Sequence, residues 1–439
     1  MPTLTVVMIA KNEAHCLGDC LASVQEIADA TVVGDTGSAD ATPRIARAAG
    51  ARVIDVPWRD DFAAARNAVL AEAPGDWLLH MDADEVLDPA GAATLRRLVD
   101  EDGAGCDAFE ITLANYCNDP RAWRWTPARP DDPLARGWSG YLPVPLLRLF
   151  RNGRGYEYRE PVHENITQSV LEAGGRIGGT DIVIHHYGYG AGSPEKAARY
   201  LAIARRKLET HPDDVKALHD FAEQAIACGL SDDAEAACRT ALSIEPDHLG
   251  AGTTLANTLL NRGALGEARG VLEHFAAQPD PAPHVLMALG ALECREGALA
   301  AAKKHLLASL TRQPRSPMAR ATLARVFDLE GEGLHAEKEL QVACEIAPGI
   351  AEFADRLKAH NLRRDGERLV QAGYSEEALE TLVEALRLDP EDPVTHNDLG
   401  VVLHMMGENG RARESIERAL KLAPGMADAA ENLRMLDGV

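Results

Sequence analysis

Apolar residues in the first hundred positions fall into short blocks of two kinds. Residues 4–10 are an almost unbroken apolar run, the pattern of a strand covered on both faces. Over 15–27, Leu17, Leu21 and Val24 recur at helical spacing instead. A second strand is expected at 31–33, ending in Gly34-Asp35-Thr36-Gly37-Ser38, and a helix from about Pro43, a residue suited to a first helical turn. A strand at 52–56, a helix at 62–72 and a buried strand at 77–81 follow, the last running into Asp82-Ala83-Asp84-Glu85. Such alternation predicts an α/β domain with a mostly parallel, Rossmann-like sheet wrapped by helices. Ligands of open α/β sheets sit beyond the carboxyl ends of the strands. Three of those ends are polar here: Lys11-Asn12-Glu13, Asp35-Thr36-Gly37-Ser38 and Asp82-Ala83-Asp84.

The second half changes character. Gly229, Gly263, Gly297 and Gly331 are spaced by 34 residues; Gly373 follows after 42 and Gly407 after 34 more. Five residues past each glycine stands an alanine, and seventeen past stands a proline in five of six cases, the second repeat carrying Asp280 beside Pro279. Seven before stands a small residue: Ala222, Ala256, Gly290, Ala324, Gly366 or Gly400. Small residues let paired helices approach, glycine ends the first helix in the left-handed conformation, and proline stops the second. The pattern resembles the tetratricopeptide (TPR) repeat. It implies an all-α solenoid of six repeats over 215–426, a connecting helix or half-repeat at 193–214 and a capping helix at 427–439. The 42-residue interval implies about eight extra residues near 352–365 (about 351–358 as an insertion), as a longer helix or loop. Such arrays present a groove that docks a peptide or protein partner, or else they serve only assembly, including a homo-oligomer.

Charge narrows the partners. Of 439 residues, 45 are Lys or Arg and 68 Asp or Glu, a net charge of −23, divided almost evenly between 1–192 and the remainder. Acidity of both halves argues against nucleic acid and anionic membranes. Residues 1–192 hold a single lysine, Lys11, so a bound phosphate there must be met by arginine, backbone N–H groups or a metal. No apolar run reaches the ~20 residues of a membrane span, and 4–10 is too short for a signal peptide, so a cytoplasmic location is expected. The eight cysteines form no CxxC pair. His15, Cys16 and Cys20 invite a metal reading, but Cys16 and Cys20 stand four apart on the expected helix and are assigned to core packing.

No GxGxxG and no GxxxxGK[ST] is present, which argues against dinucleotide binding and a P-loop. Asp82 and Asp84, two apart at a strand end, point to one face and suit a hard divalent cation. In this order Val7 to Glu13, Val33 to Thr42, Asp61-Phe62-Ala63-Ala64-Ala65-Arg66-Asn67 and Gly75 to Glu85 resemble a family-2 glycosyltransferase of GT-A fold. Leu147-Arg148-Leu149-Phe150-Arg151-Asn152, Pro161-Val162-His163-Glu164 and His186-Tyr187-Gly188-Tyr189 resemble its bacterial subgroup, in which this domain (here 1–192) precedes TPR repeats.

The resemblance implies a hexosyltransferase-like enzyme that uses a nucleotide sugar, a UDP-sugar by expectation, with manganese or magnesium. Asn12, Glu13 and Asp35 would border the nucleotide, Asp35 near the base and Asp82 near ribose and metal. Arg66 and Asn67 would line the pocket. Asp84 would ligate the metal, with His186 completing the metal–diphosphate site. Thr36 stands where many relatives carry a second aspartate. Such enzymes generally invert configuration, which needs a general base and no covalent nucleophile. Glu164 is the expected base, with Asp119, Glu157 and Glu160 as rivals. Residues 117–145 are irregular and rich in aromatics, and Trp123, Trp125, Trp138 and Tyr141 are expected to contact the acceptor. The acceptor would be a peptide or protein docked by the array, or a glycan or lipid-linked sugar. A non-catalytic scaffold or a nucleotidyltransferase is the competing class. The intact acidic pair opposes the first, and the lack of a glycine- and lysine-rich triphosphate loop the second.

Overall fold

The computed structural model describes residues 1–122, 124–129, 131–161, 164–188 and 194–436. The chain divides into two compact units: Met1–Asn118 with Asp132–Leu230, and Asp119–Asp131 with Ser231–Val439.

The first unit opens with β1 (Leu4–Ala10), α1 (Leu17–Val24), β2 (Ala30–Asp35), α2 (Thr42–Ala48), β3 (Arg52–Asp55), α3 (Phe62–Glu72) and β4 (Trp77–His80). Strands β3, β2, β1 and β4 lie side by side and parallel, as the alternation predicts. The remaining strands are β5 (Glu85–Leu87), β6 (Ala108–Cys117), β8 (Gly140–Arg151) and β9 (Ile177–His186), with a two-residue β7 (Thr126–Pro127) between β6 and β8 in the chain. From β4 the sheet continues β8-β6-β9-β5. β8 is antiparallel to β4 and β6, β6 is parallel to β9, and β5 is antiparallel to β9. The sheet is therefore mixed: beyond β4 the pairings are antiparallel except for β6 with β9.

Residue parity decides the layers. Leu4, Val6 and Met8 pack with Leu17 and Leu21 of α1 and with Leu95 and Val99 of α4 (Pro89–Asp100). Val7 and Leu78 face the opposite way, toward Ala65 and Val69 of α3 and Val170 of α5 (Thr167–Glu172). Gly34 in β2 is fixed by this packing, since a Cβ there would stand 2.5 Å from Val69 Cγ2. Asp61 caps α3 by accepting from the Ala64 N–H at 2.8 Å, worth about 1 kcal/mol. Helices α6 (Pro194–Thr210) and α7 (Val215–Ala227) also belong to this unit. Tyr200 meets Phe62 edge-on at 6.0 Å, and Lys207 pairs with Glu160 at 2.8 Å and with Asp214 at 3.0 Å. These contacts put the division between units at Leu230, beyond the expected domain limit of 192.

The second unit is built of antiparallel helices: α8 (Ser231–Ile244), α9 (Leu249–Arg262), α10 (Leu265–Ala276), α11 (Pro283–Glu296), α12 (Leu299–Arg312), α13 (Pro317–Leu329), α14 (Gly333–Ile346), α15 (Ala351–Gln371), α16 (Ser375–Leu388), α17 (Pro393–Met405), α18 (Asn409–Leu422) and α19 (Ala427–Leu436). All six marker glycines have φ between 76° and 83°, the left-handed value that favours glycine after a helix. The small residues sit where helices touch: a Cβ on Gly290 would lie 2.8 Å from Leu306, and one on Gly366 2.9 Å from Leu382. The extra residues of the long interval are helical, giving α15 21 residues where α13 has 13. Residues 437–439 of the expected cap lie outside the described residues.

Candidate active site

Because β1 pairs with both β2 and β4, their three polar ends adjoin. The chain leaving β1 turns at Asn12, whose φ of 59° asparagine accepts more readily than most residues. Asn12 Oδ1 accepts from the Ala39 N–H at 2.7 Å, and the Glu13 N–H donates to Thr42 Oγ1 at 2.7 Å. Asp35 accepts from the Ser38 N–H at 3.1 Å, and Ser38 Oγ accepts from the Asn12 N–H at 3.0 Å. The two loops thus brace one another and gather Asn12, Glu13 and Asp35 on one rim.

Below that rim lies a buried charge network. Asp82 Oδ1 accepts from Arg66 Nη2 at 2.9 Å, and Arg66 Nε donates to Glu164 Oε1 at 2.6 Å. Arg148 Nη2 reaches Glu85 Oε1 at 2.7 Å and Asp82 Oδ2 at 3.5 Å, while Glu85 Oε2 accepts from the Asp82 N–H at 2.8 Å. Burial opposes charge on Asp82, yet Arg66, His80 and Arg148 outweigh it and hold the carboxyl well below its usual range. Burial dominates at Glu85, with only Arg148 as strong counter-charge, and pushes it up to about 7. His80 is lowered to about 3 by burial and by the charges of Arg66 and Arg148, so its ring is neutral. Its Nε2 lies 3.3 Å from Asp82 Oδ1 and its Nδ1 2.7 Å from the Tyr158 hydroxyl. An ionised Asp82 only accepts, so Nε2 carries the hydrogen and Nδ1 receives the tyrosine proton. Arg66 Nη1 and Arg148 Nε and Nη1 are buried without a hydrogen-bond partner.

Asp84 stands apart from this network and faces His186. Register places His186 opposite Glu85 on β5 and beside Asn115 on β6. Its Nδ1 is 2.6 Å from Asn115 Oδ1 and its Nε2 3.3 Å from Asp84 Oδ2. Burial disfavours the imidazolium, but the hydrogen bond and charge of Asp84, then Glu85 and Asp82, raise the pKa of His186. Both side chains keep access to solvent, 26% for Asp84 and 19% for His186, as does Asp82 at 31%, against 9% for Arg66. Gly188 lets its backbone pack close against the pair, because a Cβ there would collide with Asp84 Oδ2 and stand 3.0 Å from His186 Nε2. A carboxylate oxygen and an imidazole nitrogen brought this close together are donors that fit a first-row divalent cation or magnesium.

Other expected residues are placed differently. Asn67 Nδ2 donates to the Tyr158 carbonyl at 2.9 Å and its Oδ1 accepts from the Tyr158 N–H at 2.8 Å, so its amide clamps the backbone before Glu164. Glu157 pairs with the exposed Arg159 and Glu160 with Lys207, while Asp119 belongs to the second unit. Trp125 is buried at 2% exposure within the second unit and is not the open stacking surface expected of it, and Tyr141 packs against Tyr116. Trp123, Val162, His163 and Tyr189 lie outside the described residues. Cys20 is buried and donates to the Asp82 carbonyl at 3.3 Å. Glu13, His15 and Cys16 have ligand atoms within 4.8 Å of one another, but burial and the Glu13 hydrogen bond push the Cys16 thiol up and keep its proton on. His80, Glu85, Asn115, Arg148 and Tyr158 were given no role from the sequence. Arg148 had left a signal, a charge inside the apolar run Leu146 to Phe150.

The sequence model of glycosyl transferase family 2 matches residues 5–158, and that of the TPR repeat matches 366–407. A TPR repeat-containing protein of Synechococcus elongatus is 31% identical over 93% of this chain and 89% of its own length. An uncharacterized glycosyltransferase of Rickettsia felis is 36% identical over 20% of this chain, and the prophage-derived glycosyltransferase SunS of Bacillus subtilis is 22% identical over 51%. This chain spans 30% and 49% of the lengths of those two proteins. No described helix is long and apolar enough to cross a membrane. With both family matches, and likeness to the Synechococcus protein along nearly its whole length, the chain belongs to the family-2 glycosyltransferases in the form that carries a TPR array.

Proposed function

We propose that this glycosyltransferase moves a sugar, with inversion, from a UDP-sugar to an acceptor peptide or protein docked by its repeat array. The observation that carries the reading is the Asp84–His186 pair, held 3.3 Å apart with Gly188 packed against it. Asp84 and His186 would hold a divalent cation, manganese or magnesium, which supplies Lewis-acid charge against the departing diphosphate. The chain's own groups do the rest. Asn12, Glu13 and Asp35 bound the nucleotide at the braced rim. Asp82, kept ionised by Arg66, accepts hydrogen bonds from the ribose side. Arg66 and Arg148 offer the buried N–H groups that answer phosphate charge where lysine is scarce. Glu164, oriented through Oε1 by Arg66, takes the acceptor hydroxyl proton at Oε2.

One observation favours a second role for Glu164. A single guanidinium joins it to Asp82, so it also positions the nucleotide-facing carboxylate. Glu164→Gln separates the two. Loss of maximal rate with donor affinity kept marks a base, and loss of donor affinity with rate kept marks a positioning residue. The reading as a whole is tested with a panel of nucleotide sugars plus manganese or magnesium, read as nucleoside diphosphate release. Turnover of a UDP-sugar that disappears with chelator and in Asp84→Ala is expected; metal-independent turnover in Asp84→Ala refutes it. A glycan or lipid-linked acceptor would show as transfer that does not depend on the array.

A further inference from the structure

Residues 119–131 leave the chain between β6 and β8 and are counted, by their contacts, in the repeat unit. Arg121 Nη2 meets Glu352 Oε2 of α15 at 2.6 Å, and the Trp125 carbonyl accepts from Gln313 Nε2 at 3.3 Å, just past α12. The Trp125 side chain is buried, and Pro120, Ala122 and Trp125 line a cleft with Pro283, His284 and Met287. The segment is folded in consecutive turns, the Ala122 N–H donating to the Asp119 carbonyl at 3.2 Å and the Trp125 N–H to the Ala122 carbonyl at 3.0 Å. An arginine paired with a glutamate, a backbone carbonyl held by an amide and an indole in a cleft are how a groove reads a peptide.

We infer that the face formed by α11–α13 and the start of α15 is a peptide receptor whose resident ligand is this chain's own segment 119–131. A partner of the array is then a peptide that carries arginine and tryptophan four residues apart across such turns, and it binds by displacing that segment. Displacement frees the loop that begins a few residues after Asn115, the group that orients His186. That the displacing peptide is the acceptor rests on the proposed transferase reading. The receptor itself does not.

The test is made without any nucleotide sugar, so that failure of transfer and failure of capture are read separately. A fluorescein-labelled peptide of residues 117–132 is titrated by anisotropy into the full chain and into a full-chain variant with 119–131 replaced by a Gly/Ser linker of equal length. A tethered ligand competes at an effective concentration of order millimolar, so the linker variant should bind at least about tenfold more tightly. Trp125→Ala in the peptide should weaken capture about a hundredfold, and Arg121→Glu about twofold to fivefold. Equal binding to wild type and linker variant overturns the inference, as does a dimer in which copies exchange the segment. Should the linker variant not fold, hydrogen exchange of 119–131 decides. Protection lost in Arg121→Glu and regained in Arg121→Glu/Glu352→Arg upholds the receptor, and unchanged protection overturns it.

Discussion

Each unit buries a network of arginines and aspartates, and the two are built for different ends. In the transferase unit Arg66 of α3 and Arg148 of β8 sit among Asp82, Glu85 and Glu164. In the repeat unit Arg325 of α13 pairs with Asp389 and with Asp392, the N-cap of α17, and Arg363 of α15 pairs with Asp328 at 2.7 Å. That second network ties three successive first helices together across repeats. The first converges instead on a pair, Asp84 and His186, that takes no part in its ion pairs and stays open to solvent. A charge answered by a different repeat holds architecture, whereas charges gathered beside a carboxylate–imidazole pair prepare a site.

Perturbing each network should therefore move a different observable. Asp84→Ala should lower metal-dependent turnover of donor by about a thousandfold or more, the loss of several kcal/mol of charge stabilisation. Its stability should stay within about 0.5 kcal/mol of wild type by denaturant titration. Glu164→Gln should cost about 10²–10⁴-fold in transfer rate, measured at saturating donor. Arg325→Ala does the reverse. It strands Asp389 and Asp392 and should destabilise the repeat unit by about 3–5 kcal/mol in thermal unfolding, while donor hydrolysis persists below the transition.

The smallest effect concerns Asp398, raised to about 7 by burial against only the partial counter-charge of Arg363, with Glu367 and Asp392 nearby. A carboxyl whose folded pKa exceeds its unfolded value contributes stability below the unfolded pKa and loses it as pH rises through the folded one. Repeat-unit stability should thus decline between about pH 4 and pH 7, and Asp398→Asn should flatten that slope. An equally steep slope in the variant would assign it to another group.

Much of this contrast was readable in the chain, though unevenly. The glycines at 34-residue spacing and the small residues seven before them located the turns and helix contacts, because each reports a local demand: positive φ or a missing Cβ. Residues at strand ends, Asp82 and Asp84 above all, were legible because alternation fixes where a parallel sheet presents its ligands. Arg325 and Asp392 were not, since in sequence a charge on a helix reads as a solvated face and its partner lies 67 residues away. Trp125 misled for a related reason. An aromatic in an irregular loop suggests exposure, and nothing local announces that distant helices supply its pocket. Asn67 was read as a pocket residue, yet its amide is taken up by the Tyr158 backbone, a contact 91 residues away.

The 21-residue helix α15 breaks the sameness of the array. An ideal solenoid has no landmarks, so a repeat gained or lost leaves every groove equivalent to its neighbour. Here Glu352, on the added turns, and Gln313, one repeat earlier, grip the same short segment from two ends. Their separation is a fixed gauge of about one repeat. A repeat gained or lost between Gln313 and Glu352 would break that grip. The positions where repeat number varies among its kin should avoid that interval.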